Sequence, residues 1–133
     1  MFKILLIDDS DTIRHQLAEM IDSIDRTIIM AANGKEGLDR FMSDPEIGLI
    51  FCDINMPVMD GIQFVESVAA AVEKGQAIRC PIVILTTESE VAKVMRAKKA
   101  GITGWLIKPP KKETIEKIIA KFSGTNAQTK KAS

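Results

Sequence analysis

Five short apolar runs recur along the chain, at Lys3–Ile7, Thr27–Ala31, Leu49–Cys52, Ile82–Leu85 and Trp105–Ile107. None alternates between apolar and polar positions, so they read as parallel strands covered on both faces. Between them the apolar positions fall at helical spacing. Ile13, Leu17, Met20, Ile21 and Ile24 stripe a first helix after Asp11. Asn33, with Glu36 three residues on, predicts a capping box that opens a second helix. Gly61 to Lys74 carries Ile62, Val65, Val68, Ala69 and Val72. Ser89 is placed to cap a fourth helix that runs to Ala100 and stops at Gly101. Ile115, Ile118, Ile119 and Phe122 stripe a fifth, with Pro110 predicted at its first position.

The order is therefore strand then helix, five times. Such alternation predicts an α/β domain whose parallel sheet is covered by helices on both faces. Right-handed crossovers leave few topologies. Ligands of such sheets bind outside the carboxyl ends of the strands, near the point where strand order reverses. One domain is expected over residues 1–122, and a small polar tail over 123–133 that is too poor in apolar residues to pack.

Composition narrows the class. The chain has 133 residues, 46% of them hydrophobic and 27% charged, which suits one globular domain with a real core. With 18 basic and 18 acidic side chains it lacks the charge footprint of a nucleic-acid binder. No apolar stretch approaches the ~18 residues of a membrane span, and Met1-Phe2-Lys3 lacks the layout of a signal peptide. Cys52 and Cys80 flank apolar runs at a spacing that matches no zinc or redox motif. They read as buried, reduced thiols, which fits a cytoplasmic protein.

The chemistry lies at the strand ends. Asp8-Asp9-Ser10 follows the first run and Asp53 the third. Thr86-Thr87-Glu88 follows the fourth, and Lys108-Pro109 the fifth. If the first and third runs are neighbours, three carboxylates meet at one sheet edge. Two unit charges ~4 Å apart repel by roughly 4 kcal/mol at an effective dielectric near 20. A chain that crowds acids in this way calls for a cation. Mg²⁺ suits, because it takes hard oxygen ligands and keeps several waters. A carboxylate beside such an ion can serve as a phosphoryl acceptor. The stretch Met56-Pro57-Val58-Met59-Asp60-Gly61 reads as a loop at the site floor, with Gly61 allowing a backbone angle that other residues resist.

The ordered set resembles the receiver domains of two-component response regulators, in particular the stand-alone, CheY-like chemotaxis type, over about Lys3 to Phe122. That resemblance implies a flavodoxin-like, doubly wound (βα)5 fold with sheet order 2-1-3-4-5. It implies Asp53 as phosphoacceptor, Asp8 and Asp9 as metal-binding acids, and the Asn55 backbone carbonyl as a further Mg²⁺ ligand. Thr86 would be a switch hydroxyl, Lys108 the site lysine and Trp105 an aromatic switch. Asn55 and Glu88 would tune the lifetime of the phosphate. The Lys108-Pro109 bond is usually cis in that family. Pro110 stands where receivers often carry an aromatic residue.

The implied function is a phospho-switched binding protein, not an enzyme beyond self-catalysed phosphoryl transfer and dephosphorylation. It would accept phosphate from a histidine kinase and bind a downstream target, such as a flagellar motor switch component, through its fourth helix, fifth strand and fifth helix. Val91, Val94 and Lys98 are candidate contacts there. A phosphatase partner and a monomeric state also belong to the expectation. A phosphorelay intermediate or a phosphate sink is the alternative role. A different class, an aspartyl-nucleophile phosphatase using Asp9 in Asp9-Ser10-Asp11, fits less well. Ile13 stands where Thr or Val is expected, there is no room for a substrate cap, and Asp53 would be unexplained. His15, the lone histidine, reads as an exposed helix residue.

Overall fold

The computed structural model describes residues 1–123, so the predicted tail lies almost wholly outside the described residues. Five strands, β1 (Phe2–Ile7), β2 (Arg26–Ala31), β3 (Ile47–Asp53), β4 (Ile82–Thr86) and β5 (Gly104–Ile107), alternate with five helices. The helices are α1 (Asp11–Ile21), α2 (Gly34–Ser43), α3 (Gly61–Glu73), α4 (Val91–Ala100) and α5 (Lys112–Phe122). All four strand pairings are parallel, and the sheet order is β2-β1-β3-β4-β5. The flavodoxin-like expectation is met, with the order reversing between β1 and β3.

The absence of alternation has its structural cause. Ile4, Leu6, Leu49, Phe51, Val83 and Leu85 pack on one face with Leu17 and Ile21 of α1 and Ile115 and Ile119 of α5. Leu5, Ile7, Ile50, Cys52, Ile82 and Ile84 pack on the other, with Phe41 of α2, Ile62, Phe64, Val65 and Val68 of α3, and Val94 and Ala97 of α4. The buried apolar residues of the central strands thus divide between two helix-covered faces. Both thiols are free and buried. Burial pushes the Cys80 thiol up to about 12 and the Cys52 thiol well above its ordinary value, so neither is a reactive thiolate near neutrality.

Several local expectations need correction. Ile24 lies on the helical stripe, yet α1 stops at Ile21 and Ile24 is 97% exposed. A turn closed by Arg26 N donating to Ser23 O, with the Ser23 hydroxyl on Asp25, diverts the chain there. The Asn33 side chain accepts from Glu36 N as predicted, but the Glu36 carboxylate reaches back to Ala32 N rather than to Asn33. The full capping box belongs to α3, where Asp60 accepts from Gln63 N and Gln63 accepts from Asp60 N. Ser89 caps nothing: it sits inside a 3₁₀ turn (Glu88–Glu90), and α4 begins without a side-chain cap. Gly101 ends α4 at φ 109, as expected of a left-handed stop. Pro110 precedes the cap of α5, which starts at Lys112.

Candidate functional site

Strand order brings the predicted residues together. Ile7 of β1 lies opposite Cys52 of β3, so the next residues, Asp8 and Asp53, leave the sheet side by side. Carboxylate oxygens of Asp8, Asp9 and Asp53 all lie within 4.8 Å of one another. Asp8 and Asp53 are buried, whereas Asp9 is exposed. Lys108 comes from the edge strand, two strands away. Its backbone N–H donates to Thr86 O at 2.8 Å, and the Lys108-Pro109 peptide bond is cis. The Lys108 Nζ reaches 2.9 Å from Asp53 Oδ1 and 3.0 Å from Asp8 Oδ2.

Each acid is fixed by the chain around it. Asp8 Oδ1 accepts from Ser10 N, and the Asp8 carbonyl accepts from Arg14 Nη1. Arg14 also pairs with Asp11, and sequence reading had overlooked it. Asp53 Oδ1 accepts from Ile54 N at 2.8 Å as well as from Lys108, leaving Oδ2 without a protein donor among the described residues. Burial pushes the Asp53 carboxyl above its ordinary value; the hydrogen bond from Lys108 opposes this, and the negative charge of Asp8 adds to it. Burial alone would lower the Lys108 ammonium, but its hydrogen bond and attraction to Asp53, and then to Asp8, hold it above its ordinary value.

Three carboxylates facing one ammonium leave the pocket short of positive charge. The donor set is entirely hard oxygen and clustered, with an exposed member that keeps one side open to water. That chemistry fits Mg²⁺, which binds through a few carboxylates and retains several waters.

The floor loop owes its shape to a different residue than predicted. Gly61 has no positive φ; a side chain there would place Cβ 2.3 Å from Asp53 O, so glycine is needed for close approach. The strained position is Val58, at φ 69, an uncommon conformation for a β-branched residue. Gly34 N donates to Met59 O and Gly61 N to Ile54 O, which pins both ends of the loop.

The remaining predicted residues sit around this pocket. Thr86 ends β4 fully buried, and its hydroxyl donates to Thr87 O at 3.2 Å. Trp105 pairs with Ile84 across β4 and β5 and is 38% exposed. Val94 is only 1% exposed, so it is a core residue and not a partner contact; Val91 is half-buried and Lys98 exposed. Glu88 is exposed. Asn55 instead meets Glu90 and Lys93, two residues that sequence reading had passed over. Their i,i+3 pairing was visible in the sequence, but their meeting with Asn55 depends on tertiary structure. His15 is exposed on α1, hydrogen-bonded to Asp11 O.

A doubly wound sheet with acids and a lysine converging at its carboxyl edge is the architecture of a receiver domain, and the response regulator receiver domain family matches residues 4–120. The chain belongs to that family. Among relatives, it is 32% identical over 130 residues to a chemotaxis protein CheY homolog of Campylobacter jejuni, covering 94% of this chain and 98% of the relative. It is 28% identical to chemotaxis protein CheY1 of Helicobacter pylori, covering 93% and 98%. The structure of Vibrio cholerae chemotaxis protein CheY4 superposes with a TM-score of 0.79 at 35% identity, covering 92% of this chain and 99% of that one. The protein is thus a CheY-like receiver, consistent with chemotaxis-type signalling. Such domains work with histidine kinases and typically bind Mg²⁺. No helix among the described residues is long and apolar enough to cross a membrane.

Proposed function

We propose that this protein accepts a phosphoryl group from a histidine kinase on Asp53 and uses it to switch the binding of a downstream target in chemotaxis. The observation that carries this reading is the Lys108 ammonium held between Asp53 and Asp8, 2.9 and 3.0 Å away, with Asp9 in the same cluster.

Asp53 Oδ2 is the oxygen with no protein donor, so it is the one to attack. It forms a bond to phosphorus while the donor's P–N bond breaks and its electron pair returns to the imidazole. Catalysis of this kind is mostly positioning and charge neutralisation. Ile54 N and Lys108 fix the carboxylate through Oδ1, and the Lys108 ammonium stands ready for a phosphoryl oxygen. Asp8, Asp9, Asp53 and the Asn55 carbonyl would hold Mg²⁺, which supplies further positive charge against the phosphoryl oxygens.

The switch follows from two neighbours of the pocket. A phosphoryl oxygen competes with Thr87 O for the Thr86 hydroxyl. Movement of Thr86 vacates space on the sheet face shared by Trp105, whose ring then rotates inward. A shift from 1:99 to 99:1 needs ~5.5 kcal/mol of differential binding. The target face, α4-β5-α5, is strongly basic. Apart from the pocket lysine Lys108, residues 91–123 hold eight basic and two acidic side chains, against seven and sixteen over residues 1–90. The zero net charge conceals this division, and a target of acidic character suits the face. Nothing favours the Asp9 phosphatase alternative: Asp11, its second acid, is paired with Arg14.

The test is mass spectrometry after incubation with acetyl phosphate and Mg²⁺. One phosphoryl group on Asp53, absent in Asp53→Asn, supports the reading; labelling of Asp9 or no labelling at all refutes it.

A further inference from the structure

The start of α4 is tied across the pocket rim. Glu90 and Lys93 sit one helical turn apart, and Lys93 Nζ lies 2.9 Å from Glu90 Oε2. Both also grip Asn55, two residues beyond Asp53. The Asn55 amide N–H donates to Glu90 Oε1, and its carbonyl oxygen accepts from Lys93 Nζ at 3.1 Å. Glu90 occupies the N-cap position of α4 but caps nothing, and its side chain is only 16% exposed. Its carboxylate is committed to Asn55 and Lys93 instead. Because Asp53 and Leu85 are opposite one another on β3 and β4, the group spans the gap between the Asp53 and Thr86 strand ends.

We propose that Asn55, Glu90 and Lys93 form a polar strap over the β3–β4 side of the pocket, and that Glu90 and Lys93, acting through Asn55, prolong the life of an acyl phosphate on Asp53. This rests on Asp53 being the phosphoacceptor. In hydrolysis a water oxygen bonds to phosphorus in line with the bond to Asp53. That P–O bond breaks, its electron pair returns to the carboxylate, and the water proton leaves with the departing phosphate or to solvent. The attacking water must come from the open side of the pocket. While both ends of the Asn55 amide are engaged, it can neither move aside nor bind that water. Glu90 and Lys93 are therefore positioning residues, distinct from the exposed Glu88.

The test follows loss of label from protein phosphorylated with acetyl phosphate and Mg²⁺, then freed of donor. Glu90→Ala and Lys93→Met are expected to shorten the half-life by about two- to fivefold, the rate equivalent of one exposed ion pair. Lys93→Arg restores the wild-type lifetime, the double variant decays no faster than the quicker single one, and Glu90→Gln falls between. Arg96→Ala removes a separate α4–α3 ion pair with Glu66 and leaves the lifetime unchanged. Thermal midpoints and Trp105 emission verify that each variant is folded. Wild-type decay in both Glu90→Ala and Lys93→Met, with Asp53 labelled, overturns the strap alone, as does an effect confined to Glu88→Ala. Failure of the wild type to label at Asp53 overturns the strap together with the phosphoacceptor reading.

Discussion

The two flanks of the sheet are built to different standards. On the β1–β3 flank the strands are buried almost end to end, and α3 is anchored by Gly61, Ile62, Phe64, Val65, Val68 and Ala71 and opened by a complete capping box. On the β5 flank, the edge strand has no fully buried residue. There α4 buries only Val94 and Ala97, begins without a side-chain cap, and is held further by the Arg96–Glu66 ion pair and a hydrogen bond from Lys93 to Asn55. Asp8 and Asp53 grow from the first flank, while Trp105 and the α4 surface belong to the second. The chemical groups need fixed positions, because misplacement by an ångström is costly in rate. A signalling surface of the kind proposed for α4 needs two states of similar energy, which a weakly held element provides.

The largest expected effect tests that contrast directly. Phe64→Ala empties a fully buried site on α3 and should cost about 3–5 kcal/mol in urea unfolding. Val94→Ala, the main buried contact of α4, should cost about 1–2 kcal/mol, the value of two buried methylene equivalents. Amide exchange should agree, with α4 opening at a lower free energy than β1 and β3. Equal protection of α4 and β3 would remove the distinction between a rigid and a switchable flank.

The two flanks were not equally legible in the sequence. All five strands stood out as apolar runs, because helices on both faces leave no polar positions inside them. Their ends were misjudged by one or two residues, since the strands run on past the apolar positions to Arg26, Asp53, Thr86 and Gly104, and in β3 the pairing of Ile47 with Lys3 is separated from the apolar run by a register shift at Gly48. Asp8, Asp9, Asp53, Thr86 and Lys108 were readable because each ends or follows a strand, and a parallel sheet gathers such ends at one edge. Contacts made by loops and helix starts were not. Ser89 has the right residue type for a cap, yet the 3₁₀ turn takes its place. Glu90 and Lys93 look like an ordinary surface pair until α4 is packed beside Asn55. Val94 falls at the same helical spacing as exposed neighbours, and only the direction of the helix decides which side faces the sheet.

A smaller effect probes the cost of crowding acids on the rigid flank. A carboxyl whose folded value lies above its unfolded one binds a proton more readily in the native state. Between the two values stability falls as pH rises, and the loss is complete above the folded value. Asp53 is such a group. Without Mg²⁺, Asp53→Asn should therefore be more stable than the wild type at neutral pH. That gap should narrow as the solution is acidified towards the ordinary aspartate value near ~3.9. Mg²⁺ at about 100 times its dissociation constant adds about 2.7 kcal/mol to the wild type and so reverses the order. A metal-free gap that stays constant with pH would show that the charge of Asp53 is not what the native state resists.

The smallest effect separates the two helix starts. Asp60→Ala removes a side chain that accepts from Gln63 N and whose backbone N–H is held by Gln63 in return. It should cost about 1 kcal/mol. Ser89→Ala alters a residue of the 3₁₀ turn whose hydroxyl meets only the exposed Thr87 hydroxyl, and should stay within about ±0.5 kcal/mol. The pair isolates capping from burial, because neither position contributes apolar core. Were Ser89→Ala to cost as much as Asp60→Ala, α4 would be capped in solution. The β5 flank would then be as firmly begun as the β1–β3 flank, and the proposed switch would have to rest on Trp105 and β5 alone.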